Sequence, residues 1–246
     1  MIEIRNLTVS VDNRTILNDV ELHVSRGETV ALFGPNGSGK TSLLYAIIGI
    51  PKYTVESGTI LFNGQDITKL SIDERARLGI GMAFQRPPAV RGVKLNHILE
   101  LCLAQRGVTD SADINNCIHE LQLSDLRNRD VNLGFSGGEV KRSELVQLLA
   151  QNPDFMMFDE PDSGVDLVSI QAVGRIINQL LEKEIMARRR TKAALIISHA
   201  GHILDHVNAD RAYVMLHGTM YCAGNPGDIL DDIREKGYEG CITCKK

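Results

Sequence analysis

The beginning of the chain alternates between apolar and polar positions. Over 2–11 the apolar residues recur at a spacing close to two, which is the period of a strand with one buried face. A second strand is predicted over 17–24, and it ends at the turn-like sequence of 25–28. The pattern therefore predicts a half-buried strand or hairpin as the first unit of the fold.

Three later segments are short, continuous and apolar: Thr29–Phe33, Phe155–Phe158 and Ala193–Ile197. Such runs, rich in residues that favour strands, are typical of strands buried on both faces in a parallel sheet. Polar residues follow the second and third runs at once, and a glycine-rich loop follows the first. Because open α/β sheets bind ligands beyond the carboxyl ends of their strands, this pattern predicts a site at one edge of the sheet.

Helical segments separate the predicted strands, which makes the fold class α/β. They are Thr41–Ile48, Ser71–Gly79, Asn96–Gln105, Asp110–Leu121, Glu139–Ala150 and Leu167–Glu184. No convincing buried strand is present in about 87–134. We therefore expect one domain over 1–246, in which a helical subdomain at about 87–134 is inserted between core segments 1–86 and 135–246.

Composition and charge narrow the class of protein. The 246 residues are 43% hydrophobic and 24% charged, which is ordinary for a globular chain, and the net charge of −4 does not favour nucleic-acid binding. No apolar run approaches the roughly 18 residues of a membrane-spanning helix. The amino-terminal sequence has neither a secretory nor a transit pattern, so we expect a cytoplasmic protein without membrane insertion.

A phosphate-binding loop follows the strand Thr29–Phe33. It has the pattern G-x-x-x-x-G-K-[ST] between a strand and a helix, which is the context that confirms this motif. Backbone N–H groups would surround the phosphates, Lys40 would neutralise them, and the Thr41 hydroxyl would bind Mg²⁺. The predicted nucleotide-binding residues of this loop are Gly34, Pro35, Asn36, Gly37, Ser38, Gly39, Lys40, Thr41 and Ser42.

A pair of carboxylates ends the strand at Phe155–Phe158. Asp159 fits the acid that holds Mg²⁺ beside such a loop, and Glu160 fits the group that orients and deprotonates the attacking water. Two solvated acids in a turn are the structural alternative. The phosphate-binding loop on the same chain makes that alternative much the weaker one.

A second glycine-rich segment makes the chain resemble the ATP-binding cassette family. Its residues Ser136, Gly137, Gly138 and Glu139 open a helix and look like the family's signature sequence, a smaller phosphate nest at a helix amino terminus. The resemblance implies ATP and Mg²⁺ as cofactors, ATP hydrolysis, and a P-loop parallel-sheet core with an antiparallel β subdomain. It also implies a transient cassette dimer in which Ser136 acts on the nucleotide of the other subunit.

The same resemblance identifies three further residues. Gln85 resembles the Q-loop glutamine, a catalytic residue and Mg²⁺ ligand, Asp166 resembles the D-loop acid, and His199 resembles the switch histidine. One feature departs from the family pattern. The stretch 9–13, where members carry an adenine-stacking aromatic residue, has none, so we expect weak selectivity for the base.

Three stretches, 84–93, 134–144 and 159–166, resemble the soluble ATPases of the SUF iron–sulfur cluster assembly machinery, and the triplet 162–164 is the most specific part. This resemblance implies a SufB- or SufD-like scaffold as partner, contacted through the helical subdomain. The alternative is the nucleotide-binding subunit of a membrane importer, whose cassette has the same motifs. ATPases that act on DNA or RNA fit poorly.

Cys241 and Cys244 form the only motif among the five cysteines. Two thiols can share one metal ion but fill only half of a tetrahedral site. The pair is therefore either half of a metal or cluster site completed by another chain, or an incidental feature of the carboxyl-terminal segment.

Overall fold

Two sheets and a set of helices make up the structure, a computed structural model that describes residues 1–108, 112–165, 167–198 and 202–240. Its strands are β1 (Ile2–Val11), β2 (Arg14–Val24), β3 (Thr29–Phe33), β4 (Thr54–Phe62), β5 (Gln65–Asp66), β6 (Ile80–Ala83), β7 (Phe155–Asp159), β8 (Ala193–Ile197), β9 (Arg211–Leu216) and β10 (Thr219–Gly224). Its α-helices are α1 (Lys40–Ile48), α2 (Ile72–Arg77), α3 (Leu95–Gln105), α4 (Ala112–Glu120), α5 (Gly137–Gln151), α6 (Leu167–Leu180) and α7 (Pro226–Gly240). No helix of these residues is long and apolar enough to cross a membrane.

The larger sheet has the strand order β10-β9-β3-β8-β7-β6. All neighbouring strands from β9 to β6 are parallel, and β10 pairs antiparallel with β9. The smaller sheet, β2-β1-β4-β5, is antiparallel throughout. The α/β class with a parallel core and an antiparallel sheet is thus confirmed.

Both faces of the parallel sheet are covered by apolar side chains. Along β7, Phe155 and Met157 pack into the core shared with α1 and the antiparallel sheet, whereas Met156 and Phe158 pack against the helices on the other face. This burial on two faces explains why the central strands are continuous apolar runs. Packing on both faces therefore fixes the carboxyl ends of the parallel strands.

Several elements have no clear signature in the sequence. The strands β4, β5, β6, β9 and β10 and the helix α7 are not among the elements that the sequence pattern predicts. Three of them, β5, β6 and β10, are edge strands of two, four and six residues, which are too short to give a clear period. The predicted helix Leu167–Glu184 is too long. It ends at Leu180, because Glu182 adopts a left-handed conformation with φ 54° and its carboxylate accepts hydrogen bonds from the N–H groups of Thr191 and Lys192.

The chain between β6 and α5 holds the helices α3 and α4 and a short 3-10 helix at Ser124–Leu126. Their buried side chains belong to the same apolar core as those of α5, α6 and β7. The structure thus joins this helical segment to the sheet through α5. Cys241 and Cys244 lie outside the described residues.

A buried arginine joins the antiparallel sheet region to the core. The guanidinium of Arg75, which is 3% exposed, donates to the carbonyls of Ala46 and Ile47 in the last turn of α1 and to those of Thr68 and Leu70. Burial lowers the pKa of this side chain. The cation is stabilised by four carbonyl oxygens, two of them at the negative end of α1.

We expect Arg75→Met to lower the free energy of unfolding by about 3 kcal/mol, because charged hydrogen bonds are lost and buried carbonyls lose their donor. Arg77→Met is the matched control on the same helix, since the Arg77 side chain is 76% exposed and pairs only with Asp73 in the described structure. The control should change stability by less than about 0.5 kcal/mol. Chemical denaturation measures both, and equal midpoints for the two variants would contradict this account.

Candidate nucleotide site

The loop 34–39 leaves β3 and turns directly into α1. Its two outer glycines are required by the backbone. Gly39, the residue before α1, has φ 106°, a conformation that other residues rarely adopt. A Cβ atom on Gly34 would lie 2.2 Å from the carbonyl oxygen of Met215, so β9 leaves no room for a side chain there.

Lys40 is the first residue of α1 and lies almost wholly inside the protein, 5% exposed. Its Nζ donates to the carbonyl oxygens of Gly34 at 2.8 Å and Pro35 at 2.9 Å. Burial lowers the pKa of Lys40, and the nearby carboxylates of Glu160 and Asp159 oppose that shift. The ammonium group is therefore held within the curve of the loop, beside two acids.

A cleft of about 380 Å³ opens above this loop. Its walls are formed by Ile16, Asn36, Gly37, Gly39, Lys40, Thr41, Ser42, Gln85 and Glu160. A wider groove of about 830 Å³ between the two sheets contains none of the predicted site residues. We assign the site to the smaller cleft, because the phosphate-binding loop, a lysine and a carboxylate converge there.

Thr41 and Asp159 meet beneath the cleft. The Thr41 hydroxyl donates to Oδ1 of Asp159 at 3.3 Å, and Asp159, the last residue of β7, is fully buried. Burial is the main reason why the pKa of Asp159 is raised. Its Oδ2 atom is buried and has no hydrogen-bond partner in the described structure. A hydroxyl and a carboxylate with an unsatisfied oxygen fit Mg²⁺, which prefers oxygen ligands.

Gln85 and Glu160 face each other across the same cleft. The side-chain amide of Gln85 donates to Oε2 of Glu160 at 2.6 Å, although the two residues are 75 positions apart. Glu160 follows β7 in a left-handed conformation with φ 50°, and its N–H donates to the carbonyl of Ile197. The backbone thus turns sharply after Asp159, and the two neighbouring carboxylates take different partners.

Two charged residues of α5 lie directly behind the cleft. Lys141 Nζ donates to the carbonyl oxygens of Phe84 at 2.8 Å and Asp159 at 3.3 Å. Glu144 Oε1 accepts the N–H of Phe84 at 3.2 Å. Burial lowers the pKa of Lys141 and raises the pKa of Glu144 to about 8. The residue before Gln85 is therefore held through both of its backbone polar groups.

Ser136 lies at the amino end of α5 and outside the cleft. Its N–H donates to Glu139 Oε2 at 2.7 Å, and its hydroxyl accepts the N–H of Glu139 at 3.4 Å, which is a capping box. Ser136 and Gly137 are exposed, whereas Gly138 and Glu139 are partly buried. The structure therefore does not bring these four residues to the chain's own phosphate-binding loop.

Arg129 stabilises the segment that leads into α5. Its guanidinium donates to the carbonyls of Leu133 and Gly134 and lies 5.3 Å from the ring centre of Phe135. Asp166 and His199 lie outside the described residues. The serine before His199 is described, and its hydroxyl donates to Oδ2 of Asp162 at 3.1 Å. The ends of β7 and β8 are thus linked next to the cleft.

Sequence reasoning missed four residues of this region: Ile16, Arg129, Lys141 and Glu144. A signal was present for two of them. On the predicted helix over 139–150, Lys141 and Glu144 share a face with the apolar Leu145 and Leu148, so charged residues stand where a core-facing stripe is expected. Ile16 carried no signal, because only the fold brings β2 to the phosphate-binding loop.

Comparison with known proteins agrees with this geometry. The family model described as ABC transporter matches residues 17–163. A probable ABC transporter ATP-binding protein of Streptococcus pyogenes serotype M18 is 34% identical over 98% of this chain and 94% of its own length. The probable ATP-dependent transporter SufC of Escherichia coli K12 is 35% identical over 99% of both chains.

The fold has close neighbours among solved structures. A dimeric ATP-binding cassette in a post-hydrolysis state, bound to ADP and Pi, superposes with a TM-score of 0.75 at 20% identity, over 92% of this chain and 98% of its own. A match at that identity establishes the fold. With the family match and the two full-length relatives, the conclusion is direct: this chain belongs to the ATP-binding cassette family and is an ATPase of the SufC-like kind.

Proposed function

We propose that this chain is the ATP-hydrolysing subunit of a soluble, cytoplasmic SUF-type complex, which drives iron–sulfur cluster assembly on a SufB- or SufD-like scaffold. The 35% identity to SufC over 99% of both chains supports this proposal, together with the sequence 159–166. One observation supports the ATP-hydrolysis part of this proposal. The Gln85–Glu160 and Thr41–Asp159 contacts lie beside a single phosphate-binding loop.

In the proposed mechanism the loop 34–39 directs its N–H groups at the phosphates of ATP, and Lys40 neutralises their charge. Thr41, Asp159 and Gln85 would hold Mg²⁺. The ion would supply charge neutralisation at the phosphate oxygens. Ser42 extends the same wall of the cleft, and Asp166 is proposed to take part in nucleotide binding.

Glu160 is proposed to be the general base. It takes a proton from a water molecule as that oxygen forms a bond to the γ-phosphorus, while the bond from this phosphorus to the bridging oxygen of ADP breaks. Gln85 orients Glu160 through its amide, and His199 is proposed to contact the γ-phosphate. The left-handed backbone at Glu160 directs this side chain into the cleft and away from Asp159.

A second copy of the chain is proposed to complete each site. The four residues Ser136, Gly137, Gly138 and Glu139 do not line the cleft. They form a helix amino terminus that suits a phosphate, and Ser136 and Gly137 are exposed there. In a transient ATP-bound homodimer, each cleft would receive the Ser136 of the partner copy. The dimeric form of the cassette bound to ADP and Pi supports this arrangement.

The alternative function is the nucleotide-binding subunit of a membrane importer. The name of the Streptococcus pyogenes relative, a probable ABC transporter ATP-binding protein, favours it. The chemistry of the cleft is the same in both cases. The partner that contacts the helical subdomain at about 87–134 therefore decides between them.

Glu160→Gln should lower kcat for ATP hydrolysis by roughly 10²–10⁴-fold, because the general base is lost. ATP binding should remain, and an ATP-bound dimer should accumulate in gel filtration. Asp159→Asn should in addition lose the dependence of ATP affinity on Mg²⁺. Glu120→Gln, an acid of α4 outside the cleft, is the control. Turnover like that of the unchanged protein in Glu160→Gln would end the assignment.

Ile16→Asp should weaken ATP binding by about tenfold, or ~1.4 kcal/mol, because a carboxylate would stand in a cleft built for phosphates. Ile185→Asp is the matched control, since Ile185 is 44% exposed and does not line the cleft. Competition binding measures the affinity of both variants for ATP, and equal losses of ATP affinity in the two variants would contradict the site.

No aromatic residue of the described structure lines this cleft, so ATP and GTP should compete with similar affinities for the unchanged protein. Competition binding measures the ratio of the two affinities.

The partner is tested by purification from separate soluble and membrane fractions. We expect a SufB- or SufD-like scaffold, identified by mass, to copurify from the soluble fraction. Leu101, which is 50% exposed on α3, lies in the proposed docking subdomain, whereas Ile185, 44% exposed, lies outside it. Leu101→Glu should lose the scaffold and Ile185→Glu should keep it. Recovery with an integral membrane protein instead would favour the importer.

A further inference from the structure

The end of β6 is held from behind by α5. The pairing of β6 with β7 runs from Ile80 to Ala83, and β6 is the edge strand of the sheet. Phe84 is therefore the first residue beyond the ladder, and its N–H is bonded by Glu144 Oε1 at 3.2 Å. Lys141, one turn earlier on the helix, holds the carbonyl of the same residue at 2.8 Å.

Glu144 stands where an apolar residue would suit the fold. It is 7% exposed, on the face of α5 that places Leu145 and Leu148 in the apolar core. Its second oxygen, Oε2, is buried without a hydrogen-bond partner in the described structure. A buried carboxyl with one unsatisfied oxygen costs free energy, so packing alone does not account for a glutamate at this position.

The hydrogen bond between Glu144 and the Phe84 backbone lies next to the proposed catalytic residues. Gln85 follows Phe84 directly, and its amide reaches Glu160 Oε2 at 2.6 Å. A change in the Phe84 backbone would move the starting point of the Gln85 side chain and take the amide away from Glu160. Losses of about 10²-fold in rate follow from displacements of about 1 Å in such arrangements.

We propose that Glu144 is a positioning residue for ATP hydrolysis, whose carboxyl fixes the Phe84 backbone so that the Gln85 amide meets Glu160. The proposal rests on the proposed function of Gln85 and Glu160, and Glu144 itself does not line the cleft. Because Ser136 begins the same helix, α5 would place the signature residues and the Gln85 support on one rigid element.

The test compares steady-state ATP hydrolysis of the full chain in five variants: Glu144→Leu, Glu144→Gln, Gln85→Ala, the double variant Glu144→Leu with Gln85→Ala, and Gln147→Ala. Gln147 is the matched control, because its amide bonds only within α5 in the described structure. Circular dichroism and thermal unfolding establish that each variant folds. If Glu144→Leu does not fold, the unbranched Glu144→Met replaces it.

We expect Glu144→Leu to lower kcat by roughly tenfold to 10²-fold and to leave the KM for ATP nearly unchanged, because the loss lies in orientation at the reacting atoms. Glu144→Gln keeps an oxygen acceptor and should retain most of the activity, as should Gln147→Ala. The double variant should be no slower than Gln85→Ala, because both changes remove the same contact.

Three results would overturn the inference: a folded Glu144→Leu or Glu144→Met with unchanged kcat, a Glu144→Gln variant as slow as Glu144→Leu, or a double variant whose loss is the product of the two single losses. A different result tests the proposed function of Gln85 separately from that of Glu144. If Gln85→Ala itself retains full kcat, the proposed role of Gln85 is wrong, whatever the Glu144 variants do.

Discussion

Five ionisable side chains buried at the carboxyl ends of β6 and β7 constrain this structure more than any other feature. They are Lys40, Lys141, Glu144, Asp159 and Glu160, and none is more than 8% exposed. Removing charges from water is costly unless they are paired and hydrogen-bonded. The phosphate-binding loop, the two strand ends and α5 must therefore meet at one place, since each supplies part of the compensation for the others.

This requirement explains why rigid elements surround the cleft. The two faces of the parallel sheet are buried in separate apolar cores, which fixes the strand ends that hold Asp159 and the approach to Gln85. Arg75 fixes the far end of α1 through the carbonyls of its last turn. The proposed catalytic groups thus lie where these packed elements meet, and catalysis by positioning requires such fixed geometry.

The antiparallel sheet contributes to the site from outside the parallel core. Ile16 on β2 forms one wall of the cleft, and Leu17 approaches Gly39 closely. By contrast, Ser136, which precedes α5, is exposed and does not line its own cleft. One chain therefore holds the phosphate loop, the carboxylates and the cleft wall, while its signature residues remain accessible to another molecule.

Chemistry that depends on neighbours in sequence was readable from the sequence alone. The loop from Gly34 to Lys40 joins a strand to a helix, and the capping box of Ser136 and Glu139 spans one turn, so adjacency suffices for both. Only the tertiary structure brought Gln85 to Glu160, 75 positions away, and turned Glu144 towards the end of β6. Hydrophobic periodicity reports which face of an element is buried, but it does not carry the order of strands in a sheet, and that order decides which strand ends share a site.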